Sequence, residues 1–399
     1  MSNKTRMSWT RNVLYNEKLG WSLWFGLSLF AALQAIGLHE INNFLVYRHV
    51  YVHLIQQVNL YLPYPQEHYD VNLYGPLFGL VIAPFSWLPV NMGAVLWVLF
   101  NVSFLLFAIY QLPIHRKWKA ALVLLCAHEL MNASSWLQSN ALICGCLLLG
   151  FAYVQQAKEG RALFFIMAAT FIKLLGVAGF AFFLFSNKPF RFLAWAVLWS
   201  CVFFVLPLLV VSFPYLVQSY IDWYVAILAK QQKNDSLTAP NVLYQNVSVL
   251  GMVRRIFYLP KMNDLFVLLP AFASFLSQFL PVRDYKDLRY RLYILCSVLL
   301  STVIFNSSSE SPTYIVAMPG LCLWYLLQPK TKAVNIFFGV VFFLTTFSYS
   351  DLLTPWFREH VAKPFSVKAF PSFVVWIVIL VQIHKKQFLK ALYPFQLVL

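Results

Sequence analysis

Residues Leu19–Leu38 read LGWSLWFGLSLFAALQAIGL, a run with no charged side chain. Coiled as a helix at about 1.5 Å per residue, such a run spans about 30 Å, the hydrocarbon thickness of a bilayer. Lys4, Arg6, Arg11 and Lys18 precede it and no small-residue cleavage pattern accompanies it. A retained first membrane helix is therefore expected, not a removed signal peptide. The rest of the chain repeats this pattern. Of 399 residues, 60% are apolar, 18% aromatic and only 11% charged, and mean hydropathy is +0.67. Soluble proteins carry about 25% charged residues. The expected class is all-α: a polytopic integral membrane protein forming one domain over residues 1–399.

A second uncharged window lies between Val71 and Arg116, interrupted by Pro76, Pro84 and Pro89. Proline ends or kinks helices, so the window divides into a short helix, Tyr74–Leu88, that dips in without crossing, and a span over Val90–Leu112. Counting the apolar runs downstream, about 11–13 membrane helices are expected, several of them short.

The net charge of +16 is an orientation signal. The N-terminus and alternate turns together hold 20 of the 30 Lys and Arg residues, against only Glu17, Glu159, Asp284 and Asp287. By the positive-inside rule these turns and the N-terminus face the cytoplasm. A multi-pass protein of the cell (inner) membrane is expected, with membrane lipids around it and no nucleic acid partner. Two stretches, residues 39–75 and 214–263, then lie on the outer, periplasmic face. Both are rich in Tyr, Trp and Pro and read as ordered loops with interfacial helices. All six cysteines fall in apolar runs, without disulfide or metal-ligand spacing.

Ionisable groups at membrane depth are costly and so mark candidate sites. Lys173, in FIKLLG, suits either a bound phosphate or a snorkelling role. Glu129, beside His128, is a candidate where a short helix end exposes it to water. The first outer stretch gathers Glu40, Arg48, His49, His53, Glu67, His68 and Asp70 among aromatics. Its carboxylates suit general-base work on a hydroxyl acceptor, and its rings suit a sugar face. His49 and His53 stand i, i+4, a weak metal signal taken alone. In the second stretch Arg254 and Arg255 follow Gln245–Ser248. Outer-face arginines invite a phosphate, which guanidinium holds bidentately, or a lipid headgroup. No carboxylate cluster of the kind hard divalent ions prefer is present, so neither metal nor cofactor is assigned.

Several motifs in order resemble glycosyltransferase family 87, membrane enzymes of the GT-C fold that include polyprenyl-phosphate-mannose-dependent mannosyltransferases. NNFLVYRHVYVHLIQQVNLYLPYP (42–65) is similar to that family's DF-VY--A---L--G--LY, and YGPLFGLVIAPFSWLP (74–89) to Y-PL--LL--P---LP. LWVLFN (96–101), LQSNALICGCLLLG (137–150), ATFIKLLG (169–176) and YQNVSVLGMVRRIF (244–257) resemble LW-LLN, GQ-N-LLL, A--IKP and NQS--G---R. The resemblance implies a hexosyltransferase on the outer face. It would pass a sugar, mannose in the family's familiar case, from a polyprenyl-phosphate donor to a lipid or glycan hydroxyl, inverting the anomeric centre with a carboxylate base.

Carried over by position, Lys173 with Arg254 or Arg255 would hold donor phosphate. Gln138 and Asn140 would line the cavity, with Arg48, His53, Tyr74 and Asn246 also on the substrate side. Three positions depart from the pattern. Asn43 stands where the family is acidic, Leu137 where it has Gly, and Leu174 where it has Pro. The base is then expected to be Asp70, ahead of the dipping segment, or Glu40, one helical turn before Asn43 and on the same face. Two other readings remain open at this point: a lipid or sugar transporter or flippase, which lacks the expected internal repeat, and a non-catalytic glycan-assembly protein, suggested by Asn43.

Overall fold

The computed structural model describes residues 13–235, 245–350 and 353–392, and every regular element among them is a helix. Hydrocarbon offers backbone N–H and C=O groups no partner, so each apolar segment must satisfy its own, and a helix does so. Lys4, Arg6 and Arg11, and residues 236–244 of the second outer stretch, lie outside the described residues.

The first apolar run forms the helix Glu17–Gly37, and the second span forms Val90–Gln111 directly after Pro89. With Pro189–Leu209 these are the three described helices long and apolar enough to cross a membrane. Seven shorter apolar helices of 10–17 residues accompany them. The dipping segment is the buried helix Leu77–Ser86, with Pro84 inside it. The second outer stretch is largely the helix Phe213–Asp235, followed after residue 244 by Val249–Ile256. The protein is an all-α membrane protein. Five of its cysteines are buried, Cys201 is exposed, and all six are free thiols.

Two compact units divide the chain. One holds Lys18–Pro113 and Leu130–Lys230. Its centre is the helix Asn140–Gln155, buried from Asn140 to Val154, against which Val90–Gln111 and Glu159–Ile172 pack. Close approach depends on small residues: a Cβ on Gly145 would lie 2.7 Å from the Phe104 ring. An aromatic knot joins the helix Asn42–Gln56 to this core. The Tyr47 ring centroid lies 5.0 Å from those of both Tyr74 and Phe78, and 5.9 Å from that of Trp97. Outward-facing Phe190, Leu193, Val197 and Leu198 of Pro189–Val205 are exposed, as a lipid-facing helix requires.

The other unit holds Ile114–Glu129 and the chain from Gln231 onward, with Met1–Glu17. The buried helix Leu288–Ile304 packs against Met318–Leu327 and Ala369–His384. Trp376 Nε1 donates to Ser297 Oγ at 3.0 Å, satisfying two polar groups in its interior.

Candidate active site

Residues 39–75 form a helix with a strap returning along it. Asn42–Gln56 ends at Gln57, whose left-handed backbone (φ 53°) reverses the chain. Asn42, His49 and His53 share one helical face, and the strap Tyr64–Asp70 runs beside it. Tyr69 N–H donates to Asn42 Oδ1 at 2.8 Å, while Asn42 Nδ2 donates to Asp70 Oδ2 at 2.9 Å. Lower down, His53 Nε2 stands 2.9 Å from Glu67 Oε2. Asp70 is thus an exposed carboxylate held by an amide. Burial of His53, opposed by Glu67, holds its pKa below the ordinary imidazole value.

Beyond Asp70 the chain turns inward. Asn72 Nδ2 and Tyr61 Oη donate to the Tyr74 carbonyl at 3.1 and 3.0 Å, and Gly75 N–H donates to Ile172 C=O at 3.1 Å. A Cβ on Gly75 would lie 2.2 Å from the Phe171 carbonyl oxygen. Glycine therefore lets the strap touch the end of Glu159–Ile172, where Lys173 follows.

The touching ends bring four expected residues together. Tyr74 Oη lies 2.8 Å from Tyr47 Oη and 2.9 Å from Ser139 Oγ. Lys173 Nζ donates to Asn140 Oδ1 at 3.0 Å and stands 5.7 Å from the Tyr74 ring centroid. Asn140 Nδ2 in turn donates to Gln138 Oε1. Asn43 Nδ2 donates to the Trp136 carbonyl at 2.8 Å, tying the start of the outer helix to the turn that carries Gln138.

Backbone geometry accounts for two departures from the family pattern. Leu137 has φ 49°, the left-handed region that glycine enters freely. Lys173 is extended (φ −151°, ψ 126°), the conformation a following proline imposes. The chain keeps both conformations without the Gly or the Pro.

Other expected residues stand elsewhere. Glu40 is exposed in the link before the helix, which begins at Asn42, so it does not share a helical face with Asn43. Arg48 Nη1 donates to the Leu88 carbonyl at 2.7 Å.

Asn246, Arg254 and Arg255 belong to the other unit, where both arginines have partners within the fold. Arg254 is buried, 2.9 Å from Asp264 Oδ1, and donates to the Met262 carbonyl at 2.8 Å. Arg255 donates to the Gln245 and Lys363 carbonyls and to Ser366 Oγ. These side chains tie down backbone. Asn246 is buried at φ 52°, with its amide donating to the Asn234 carbonyl at 3.2 Å. Glu129 is likewise fully buried and not open to water. It pairs with Lys368 Nζ at 2.9 Å, and Ser311 Oγ accepts a further bond from that ammonium at 3.0 Å.

Sequence reasoning missed Asn42, Ser139 and Lys368. Ser139 sits between two residues it had singled out, so the motif itself held the signal. Asn42 and Lys368 act through partners 28 and 239 residues away, which spacing cannot reveal. A cavity of about 680 Å³ lies at the other end of the Lys173 helix, lined by Lys158, Arg161, Arg191, Trp195 and Trp199. That end is about 20 Å from Lys173 along the helix, so the cavity is separate from this cluster.

An all-helical membrane protein whose ammonium, amide and hydroxyl groups converge where helices end has the anatomy of a protein that handles polar groups beside a bilayer. The model of glycosyltransferase family 87 matches residues 72–306, and the chain belongs to that family. It is therefore a membrane glycosyltransferase. No curated protein matches the chain. The matched residues include Tyr74, Gln138, Asn140, Lys173, Asn246, Arg254 and Arg255. They begin just after Asp70, leaving Glu40, Asn43, Arg48, His53 and Asp70 outside.

Proposed function

We propose that the protein is an inverting hexosyltransferase of GT-C type on the outer face of the cell membrane. It moves a sugar, mannose in the simplest case, from a polyprenyl-phosphate donor to a lipid or glycan hydroxyl. The observation that carries this reading is the Lys173–Asn140–Gln138 chain of contacts beside Tyr74 and Ser139. An ammonium has three N–H donors; Asn140 accepts one, and the others suit phosphate oxygens. Amides and hydroxyls around it match the hydrogen-bonding groups of a sugar ring, and the tyrosine ring offers a face to stack upon.

In this scheme the acceptor oxygen attacks the anomeric carbon while the bond from that carbon to the phosphate oxygen breaks. Polyprenyl phosphate leaves with its charge opposed by Lys173. The acceptor proton passes to Asp70, whose geometry Asn42 maintains. Asn43 is a less suitable base position in this chain. Its side chain faces the Trp136 carbonyl oxygen, which accepts from an amide and would repel a carboxylate. Arg254, already neutralised by Asp264, has no part in holding donor phosphate.

The reading is tested with protein in lipid nanodiscs, labelled polyprenyl-phosphate hexoses and a host lipid extract. Transfer by wild type that Asp70→Asn abolishes, with donor still bound, supports it. Donor capture without transfer by wild type would assign a non-catalytic role. Vesicle flux of unaltered donor would assign transport.

A further inference from the structure

We propose that His49, Glu67 and His68 form a binding site for a zinc-class divalent cation, which fastens the Tyr64–Asp70 strap to the Asn42–Gln56 helix. One ligand atom from each residue lies within 4.8 Å of the others, and His49 Nε2 is 3.9 Å from Glu67 Oε2. Ligands around tetrahedral zinc, with bonds of about 2.0–2.1 Å, stand about 3.4 Å apart. The widest pair would close to that spacing by moving about 1.4 Å nearer.

Three features prepare these groups as ligands. His49 Nδ1 lies 2.9 Å from the Leu45 carbonyl oxygen. A carbonyl only accepts, so Nδ1 carries the proton and the Nε2 lone pair points away from the helix. That second bond is the usual way a metal-binding imidazole is oriented. His68 is 6% exposed, and its Nδ1 is buried with no hydrogen-bond partner. A buried lone pair without a donor is costly, and a cation would relieve it. Finally, His53 Nε2 lies 2.9 Å from Glu67 Oε2, the same oxygen that faces His49 Nε2 at 3.9 Å, so the carboxylate sits beside the His49 ring.

Two imidazoles and one carboxylate favour zinc or its borderline neighbours over magnesium or calcium, which take mostly oxygen ligands. Because Asp70 lies two residues after His68, the ion would stiffen the segment that carries the carboxylate. Binding itself does not depend on the transferase reading.

The test uses full-length protein in nanodiscs, freed of any histidine tag and stripped with chelator, then titrated with Zn²⁺ against a chromophoric competitor. One equivalent should bind tightly, and His49→Ala and His68→Ala should each weaken it by about 100-fold or more. His384→Ala, outside the cluster, should leave it unchanged. Wild type loaded with Co²⁺ should show the strong visible bands of a tetrahedral nitrogen–oxygen site, a readout independent of any variant's folding. No stoichiometric uptake by wild type, or uptake that both alanine variants retain, would overturn the proposal.

Discussion

Lys173 and Lys368 are both lysines at helix ends in a protein with few charges, yet their surroundings are opposite. Lys368 is buried against the Glu129 carboxylate and Ser311, its charge cancelled inside the fold. Lys173 is half-buried and meets neutral groups, the Asn140 amide oxygen and the Tyr74 ring. A buried cation with a matched anion is structural, because separating the pair strands a charge. A cation held by neutral groups keeps its charge available to a phosphate. Arg254 with Asp264 repeats the first arrangement, which is why basic residues alone do not identify a donor site.

The largest expected effect concerns the proposed base, Asp70. Asp70→Asn should lower transfer by about 10²- to 10⁴-fold, the range of general-base catalysis, with donor affinity preserved in a binding assay. Lys368→Met should instead act on stability, costing about 3–5 kcal/mol by leaving Glu129 unpaired. Thermal unfolding checks this, and adding Glu129→Leu should restore most of the loss. Lys173→Met should weaken donor binding by about 10- to 100-fold, the weight of a charge-assisted hydrogen bond, with an unchanged unfolding midpoint. Equal destabilisation by the two lysine substitutions would erase the contrast between them. The smallest effect is expected for Asn43→Asp, which puts a carboxylate against the Trp136 carbonyl. It should cost about 1–2 kcal/mol of stability and bring no gain in transfer, and a gain would move the base back to position 43.

Much of the fold was legible because apolar runs and prolines act locally. The Glu17–Gly37 and Val90–Gln111 helices follow directly from uncharged runs, the second beginning after Pro89. The helix Leu77–Ser86 starts later than the expected Tyr74, because residues 72–75 are occupied with Tyr61 and Ile172. Within the candidate site, Gln138, Asn140 and Lys173 were legible through motif order. Pairing was not. Nothing in RRIF reveals that Asp264 waits for Arg254, and nothing in AHELMN reveals Lys368. The sequence placed Glu129 at the edge of water, whereas tertiary packing gave it a cation. Glu40 was misplaced for a simpler reason: the helix begins at Asn42, and helix starts without a capping side chain leave little mark in a sequence.

In the proposed reaction a sugar leaves its polyprenyl phosphate through the joint action of Asp70 and Lys173. Release of free polyprenyl phosphate from radiolabelled donor, in nanodiscs with acceptor lipid present, tests it most directly. Wild type is expected to release it one-to-one with glycosylated acceptor. Asp70→Asn should fail at saturating donor, and Lys173→Met should recover as donor concentration rises. Release by Asp70→Asn at the wild-type rate, or a Lys173→Met defect that no donor concentration relieves, would contradict it.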